Sequence, residues 1–113
     1  MRPVHLNTPL VLEARAGVPD GAGGEGPPGW VVLGTLWAEL RLRTGGERAE
    51  AGLALSRLAW RVVVRAAGPG AASRPVPGQR FRAGARLLAI EAVAMEDPAG
   101  RYLTCFCREE GLA

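Results

Sequence analysis

Apolar and charged residues alternate with a period of two along much of this chain, a pattern that half-buried β-strands require and amphipathic helices do not tolerate. The alternation is clearest within residues 30–43, where Leu36, Ala38, Leu40 and Leu42 interleave with Trp37, Glu39, Arg41 and Arg43. It returns over 57–65, with Leu58, Trp60, Val62 and Val64 on one face and Arg57, Arg61 and Arg65 on the other. Two further apolar runs, 86–95 and 101–108, flank Asp97, Pro98, Ala99 and Gly100, whose proline and glycine suit a turn. Those runs are expected to pair antiparallel. Residues 6–15 supply an expected first strand, and Pro9, lacking a backbone donor, places its start on an edge or outside the ladder.

Three segments between these strands cannot be central ladder. Residues 20–29, which include Asp20, Gly24 and Glu25, are so rich in Gly and Pro that ordering them costs roughly 1–2 kcal/mol per residue with little burial in return. A loose loop ending at Trp30 is the expectation. Thr44 and Glu47 have the spacing of a capping box, so a short helix is expected from there to about residue 55, held by tertiary contacts because Gly52 interrupts it. Residues 66–79 carry Gly68, Pro69, Gly70, Pro75, Pro77 and Gly78 and read as a third loop. The fold class that follows is mainly β: a small antiparallel barrel or sandwich of five or six strands, with one short helix and long loops. At 113 residues it forms a single domain.

Chemistry is hard to place on this chain. All 14 basic residues are arginines, scattered from Arg2 to Arg108 without a cluster, so the net charge of +3 implies at most a mild bias toward a passing phosphate backbone. Gly21, Gly23 and Gly26 spell a dinucleotide-type glycine pattern, but Pro27 and Pro28 block the helix that would have to follow. Glu96 and Asp97 fall in a turn and Glu109 and Glu110 in a terminal tail, where both pairs are expected to be solvated. His5 has no triad partner nearby in sequence. Cys105 and Cys107 alternate in an apparent strand, a spacing that strains a disulfide and offers only two metal ligands, so buried, inert thiols are expected. No catalytic residue, cofactor or metal is therefore expected. With no leader pattern and no apolar run near about 18 residues, the expectation is a soluble chain made in a cytoplasm. Only Trp30, Trp37, Trp60, Phe81, Tyr102 and Phe106 are aromatic, so the core is thin and neighbours can supply stability that the chain lacks.

The order of short blocks carries a resemblance. An early strand and a Gly-rich excursion precede a tryptophan-led strand ending in Leu36, Trp37, Ala38, Glu39 and Leu40; Gly46 and Glu47 then open the helical piece, and Arg61 to Arg65 follow as RVVVR. Gln79, Arg80, Phe81 and Arg82 lead into Ala89, Ile90, Glu91, Ala92 and Val93, and Asp97, Gly100, Arg101, Tyr102, Leu103 and Cys105 close the pattern. In this succession the chain resembles the phage head-tail joining (head-closure, or stopper) family, and more narrowly the head-tail adaptor-like proteins of gene transfer agents.

The resemblance implies a barrel-like, non-enzymatic subunit of a homo-oligomeric, six-fold ring at the head-tail junction of a virion or phage-like particle assembled in a bacterial cytoplasm. It implies a portal-adaptor ring on the head side and a tail terminator or tail tube on the tail side. Double-stranded DNA would pass through the lumen without sequence-specific contact. The insertion between the two central strands would face the channel or the ring interface, which here points to Arg43, Thr44, Glu47, Arg48 and Glu50; its mixed charges suit a wall past which DNA slides. Asp20, Gly24, Glu25 and Trp30 would form a docking loop that orders against a neighbour. No membrane is implied. The rival from another class is a small β-barrel module that binds nucleic acid; Trp37, on the polar face beside Arg41 and Arg43, is the feature in its favour.

Overall fold

Charge-bearing alternation closes on itself in three dimensions. A computed structural model describes residues 3–16, 29–43 and 58–110. They form β1 (Thr8–Arg15), β2 (Trp30–Leu42), β3 (Ala59–Arg65), β4 (Arg80–Ala83), β5 (Arg86–Met95) and β6 (Tyr102–Glu110). Every pairing is antiparallel, and the order β1-β2-β3-β6-β5-β4 returns to β1 as a closed barrel. Closure removes most of the unpaired backbone that an open sheet would expose. The segment expected to be helical, about 44–55, lies outside the described residues. Gln79 to Arg82, in sequence a lead-in to the following strand, include residues that form a strand of their own: 80–83 are β4 and join β1 to β5.

The interior is built from one face of each strand. Leu10 and Leu12, Val62 and Val64, Phe81, Leu88 and Ile90, and Leu103, Cys105 and Cys107 make a contiguous buried cluster. Each large aliphatic or aromatic member contributes roughly 1.5–3 kcal/mol by leaving water. Phe81 is the one aromatic in that cluster, with Trp60 packed at its border, as a chain so poor in aromatics dictates. Pro9 lies opposite Trp37 in the ladder, within the part of β1 that β4 does not reach. Its missing donor is tolerated on that locally open side.

Two bulges change which residues face inward. Leu12 pairs with Gly34 but Glu13 pairs with Val32, so Leu33 is an extra residue in β2. Beyond it the even-numbered Leu36, Ala38 and Leu40 face the core, whereas before it Trp30 and Val32 share the outer face with their partners Arg15 and Glu13. In β5 the irregularity between Ile90 and Ala92 makes Glu91 the extra residue, and the inward set changes from Leu88 and Ile90 to Val93.

Strand directions fix the ends of the barrel. The link from β1 to β2 leaves at one end, its neck closed by the Ala16 N–H donating to the Gly29 carbonyl at 2.8 Å. The β3 to β4 link and the β5 to β6 turn lie at that same end. The link from β2 to β3 leaves at the opposite end, where the Arg43 N–H donates to the Ala59 carbonyl at 3.0 Å. Residues 66–79 are the expected loop, and it is tied down: Arg74 Nη1 donates to the Ala67 carbonyl at 2.7 Å, and Pro75 is buried.

Candidate assembly surface

The charged side chains of the described residues stand on the outer wall and at the mouths of this barrel, and the fold has already neutralised many of them. At the neck of the β1 to β2 link, Glu13 points outward yet is fully buried. Arg80 Nε and Arg82 Nε, from the adjacent β4, each donate to its carboxylate at 2.7 Å. Arg80 also lies against the ring of Trp30 at 3.9 Å, with Arg15 at 5.1 Å. Trp30 is thus an anchor at the base of the expected docking loop; Asp20, Gly24 and Glu25 lie outside the described residues.

At the opposite mouth, Glu109 accepts from Trp60 Nε1 at 2.8 Å and from Arg86 Nε at 3.0 Å, and Arg86 lies over Trp60 at 5.2 Å. The hydrogen bond from Arg86, opposed by burial and aided by Trp60, holds the Glu109 carboxyl below its usual range. This corrects the expectation of a solvated tail: Glu109 belongs to β6, and strand parity brings it to the barrel mouth beside Trp60. Of the residues expected to face a channel, Arg43 is placed at this end; Thr44, Glu47, Arg48 and Glu50 lie outside the described residues.

The turn carboxylates are also engaged. Asp97 is buried, not solvated: its Oδ1 accepts from the backbone N–H groups of Arg101 and Tyr102, each at 3.0 Å. Burial alone would raise its pKa, but the Tyr102 and Arg101 backbone donors and the Arg101 guanidinium outweigh it and leave the group below its ordinary value. Glu96 accepts from Thr104 Oγ1 and from Arg41 Nη1, and Arg41 Nε in turn donates to Glu39 at 3.0 Å. The His5 backbone N–H, rather than its ring, completes this brace by donating to Glu39 at 2.9 Å. Cys105 and Cys107 are buried free thiols, as expected, and burial pushes the first up to about 12 and raises the second as well.

Apart from Arg15, which lies over Trp30, and Arg74, which donates to the Ala67 carbonyl, the described arginines without a carboxylate fall on one wall. Arg61 on β3 and Arg43 at the end of β2 both lie over the ring of Phe106, at 5.7 and 5.6 Å, and Arg65 lies over Tyr102 at 5.5 Å. Among the described residues none of these three guanidiniums pairs with a carboxylate. One register step beyond the Ala38 and Val64 pair, Arg65 comes level with Trp37, whose side chain is 57% exposed. Three arginines that look scattered in the sequence, Arg43, Arg61 and Arg65, are therefore gathered in space. Arg61 and Arg65 are signalled only by parity within β3, and their aromatic partners come from β6, some forty residues away in sequence.

Comparison with known proteins gives a consistent picture. A family model described as "Phage head completion protein" matches residues 1–110. Among solved structures the chain is similar to one from the "Virion of native gene transfer agent (GTA) particle", with 50% sequence identity and a TM-score of 0.75, covering 99% of this chain and 100% of that one. No curated protein matches.

Proposed function

Because the chain belongs to the phage head completion protein family, we propose that it is a structural, non-catalytic subunit at the head-tail junction of a phage-like particle, closing the filled head and receiving the tail. The observation that carries this reading is the end-to-end likeness, at 50% identity, to a chain of a gene transfer agent virion. The geometry is compatible with a joint: the β1 to β2 and β2 to β3 links leave opposite ends of the barrel, and the thirteen-residue β2 between them spans roughly 40 Å at about 3.3 Å per residue. A subunit so built can present different surfaces to different neighbours.

In this proposal several copies close into a ring, six-fold as in the family's tail-end rings, with a portal-adaptor ring on one side and a tail terminator or tail tube on the other. Closed cyclic contacts are heterologous, so each copy uses two distinct patches. Double-stranded DNA passes through the lumen. Arg43, Thr44, Glu47, Arg48 and Glu50 line or gate that channel, and Asp20, Gly24, Glu25 and Trp30 dock a neighbouring ring. The decisive experiment removes the chain from the producing strain: heads that fill but leak DNA and lack tails are expected, and sealed, tailed particles would refute the reading. Deleting 44–55 alone tests the gate, with DNA leakage from tailless heads expected and unchanged retention counting against it.

The exposed Trp37 beside unpaired arginines favours one rival, a barrel that binds nucleic acid directly. Salt-dependent retardation of labelled single strands by the purified chain would support that rival.

A further inference from the structure

We infer that the outer wall formed by Trp37, Arg65 and Arg61 is a docking surface for an acidic protein surface, carried by a structural protein of the particle other than this chain. The inference rests on the head-tail reading above and names the chemistry of one of its partners.

The first support is electrostatic. Among the described residues Glu13, Glu39, Glu91, Glu96, Asp97 and Glu109 are each already paired with an arginine. The described carboxylates of the barrel are thus committed internally, Glu110 apart, while Arg61 and Arg65 rest only on aromatic faces. Of the described carboxylates only Glu110 lies outside these ion pairs, and the acids outside the described residues, Asp20, Glu25, Glu47 and Glu50, are assigned above to the docking loop and the channel, so the described surface of a second copy offers the wall little complementary charge. An acidic partner of another kind does.

The second support is the company these cations keep. Trp37 is 57% exposed, and its ladder partner Pro9 is exposed beside it. Trp, Tyr and Arg are the residues that dominate protein interfaces, because a large apolar side chain gains most from burial and a planar guanidinium pairs two-pronged with a carboxylate. Phe106 and Tyr102 hold the guanidiniums against the wall, which lowers the entropy lost when they meet a partner.

DNA fits these observations less well. Two of the wall's three aromatics, Phe106 and Tyr102, already carry guanidiniums on a face, leaving them poor platforms for bases, and a duplex has no pocket in which the third, Trp37, could bury. A wall past which DNA must slide is also better without a row of uncompensated cations, since phosphate contacts accumulate steeply.

The test complements a strain lacking the chain with full-length tagged versions and measures the amount incorporated into purified particles. Arg61→Gln with Arg65→Gln is expected to reduce incorporation about tenfold, and Trp37→Ala several-fold. A control, Ala72→Glu with Ser73→Glu on the exposed 66–79 loop, changes the net charge equally and is expected to incorporate normally. Thermal melting of each purified variant separates lost docking from lost folding, and Arg61→Lys with Arg65→Lys, which keeps charge but not the planar fork, is expected to fall between the extremes. Normal incorporation of the glutamine and tryptophan variants overturns the inference and leaves the head-tail reading standing. So does an equal loss in the loop control. Variants that incorporate normally but yield particles depleted of DNA would assign the wall to phosphate instead, again overturning it. Failure of the unmodified chain to enter particles would remove the head-tail reading and this inference together.

Discussion

Glu13 and Arg80 stand directly opposite each other on adjacent strands, and the Arg80 Nε donates to a Glu13 carboxylate that is wholly withdrawn from water. A buried carboxylate is tolerable only because Arg82 supplies a second donor and the Trp30 ring covers Arg80. Removing it strands two guanidiniums at the base of the β1 to β2 link.

Glu13→Ala is therefore expected to destabilise the barrel by about 3 kcal/mol, the lower part of the range for breaking a buried pair, because Arg82 is partly exposed. Glu91→Ala is the comparison. Its pair with Arg108 spans the same kind of distance, 3.0 Å, but both side chains are 46% exposed, so the loss is at most about 1 kcal/mol. Urea denaturation of the two variants measures the difference. Equal losses would mean that Glu13 does not act as a buried ion-pair partner of Arg80 and Arg82.

The contrast also shows what the sequence could and could not disclose. Alternation located the long strands and the hairpin, and it identified Val62 and Val64 as core because β3 runs without a bulge. It could not place Trp30, since an extra residue at Leu33 moves Trp30 to the face opposite Leu36 although their even spacing suggests a shared one. Nor could it find Glu13, Glu109 or Asp97 as structural acids. Each is satisfied by donors fixed by barrel closure, strand pairing or turn geometry. The wall of Arg43, Arg61 and Arg65 was hidden for the same reason, because the aromatic faces beneath those residues come from β6.

Asp97 gives the hairpin a pH dependence with a definite sign. Its folded pKa lies below the ordinary carboxyl value, so the stabilisation it supplies is fully present above that value and is lost as pH falls through the lower, folded one. The melting temperature of Asp97→Asn should fall below that of the unmodified chain at neutral pH, and the gap should close under strongly acidic conditions. A gap that is constant across the titration would contradict the assigned donors.

Cys105 and Cys107 should behave as core methyl-sized groups rather than as nucleophiles. Both are buried, and burial pushes the Cys105 thiol up to about 12, so almost no thiolate exists at pH 8. An aromatic disulfide reagent at that pH is expected to label neither residue in the native chain and both in denaturant. Rapid native labelling would show that β6 opens from its neighbours.

The bulge at Gly34 offers the most direct test of how local backbone decides the outer surface. Gly34 has φ +151, outside the range comfortable for a side chain, while a Cβ built there would meet nothing within 4 Å. A cost for Gly34→Ala must then come from the backbone and not from collision, and about 1–3 kcal/mol is expected. Gly68 also has open space around it but no such φ, so Gly68→Ala should be neutral or stabilise by up to about 1 kcal/mol through the unfolded chain. The two variants carry the same added methyl and differ only in the conformation it must adopt. If Gly34→Ala melts like Gly68→Ala, the extra residue at Leu33 is not held by Gly34. The opposite facing of Trp30 and Leu36 would then need another cause.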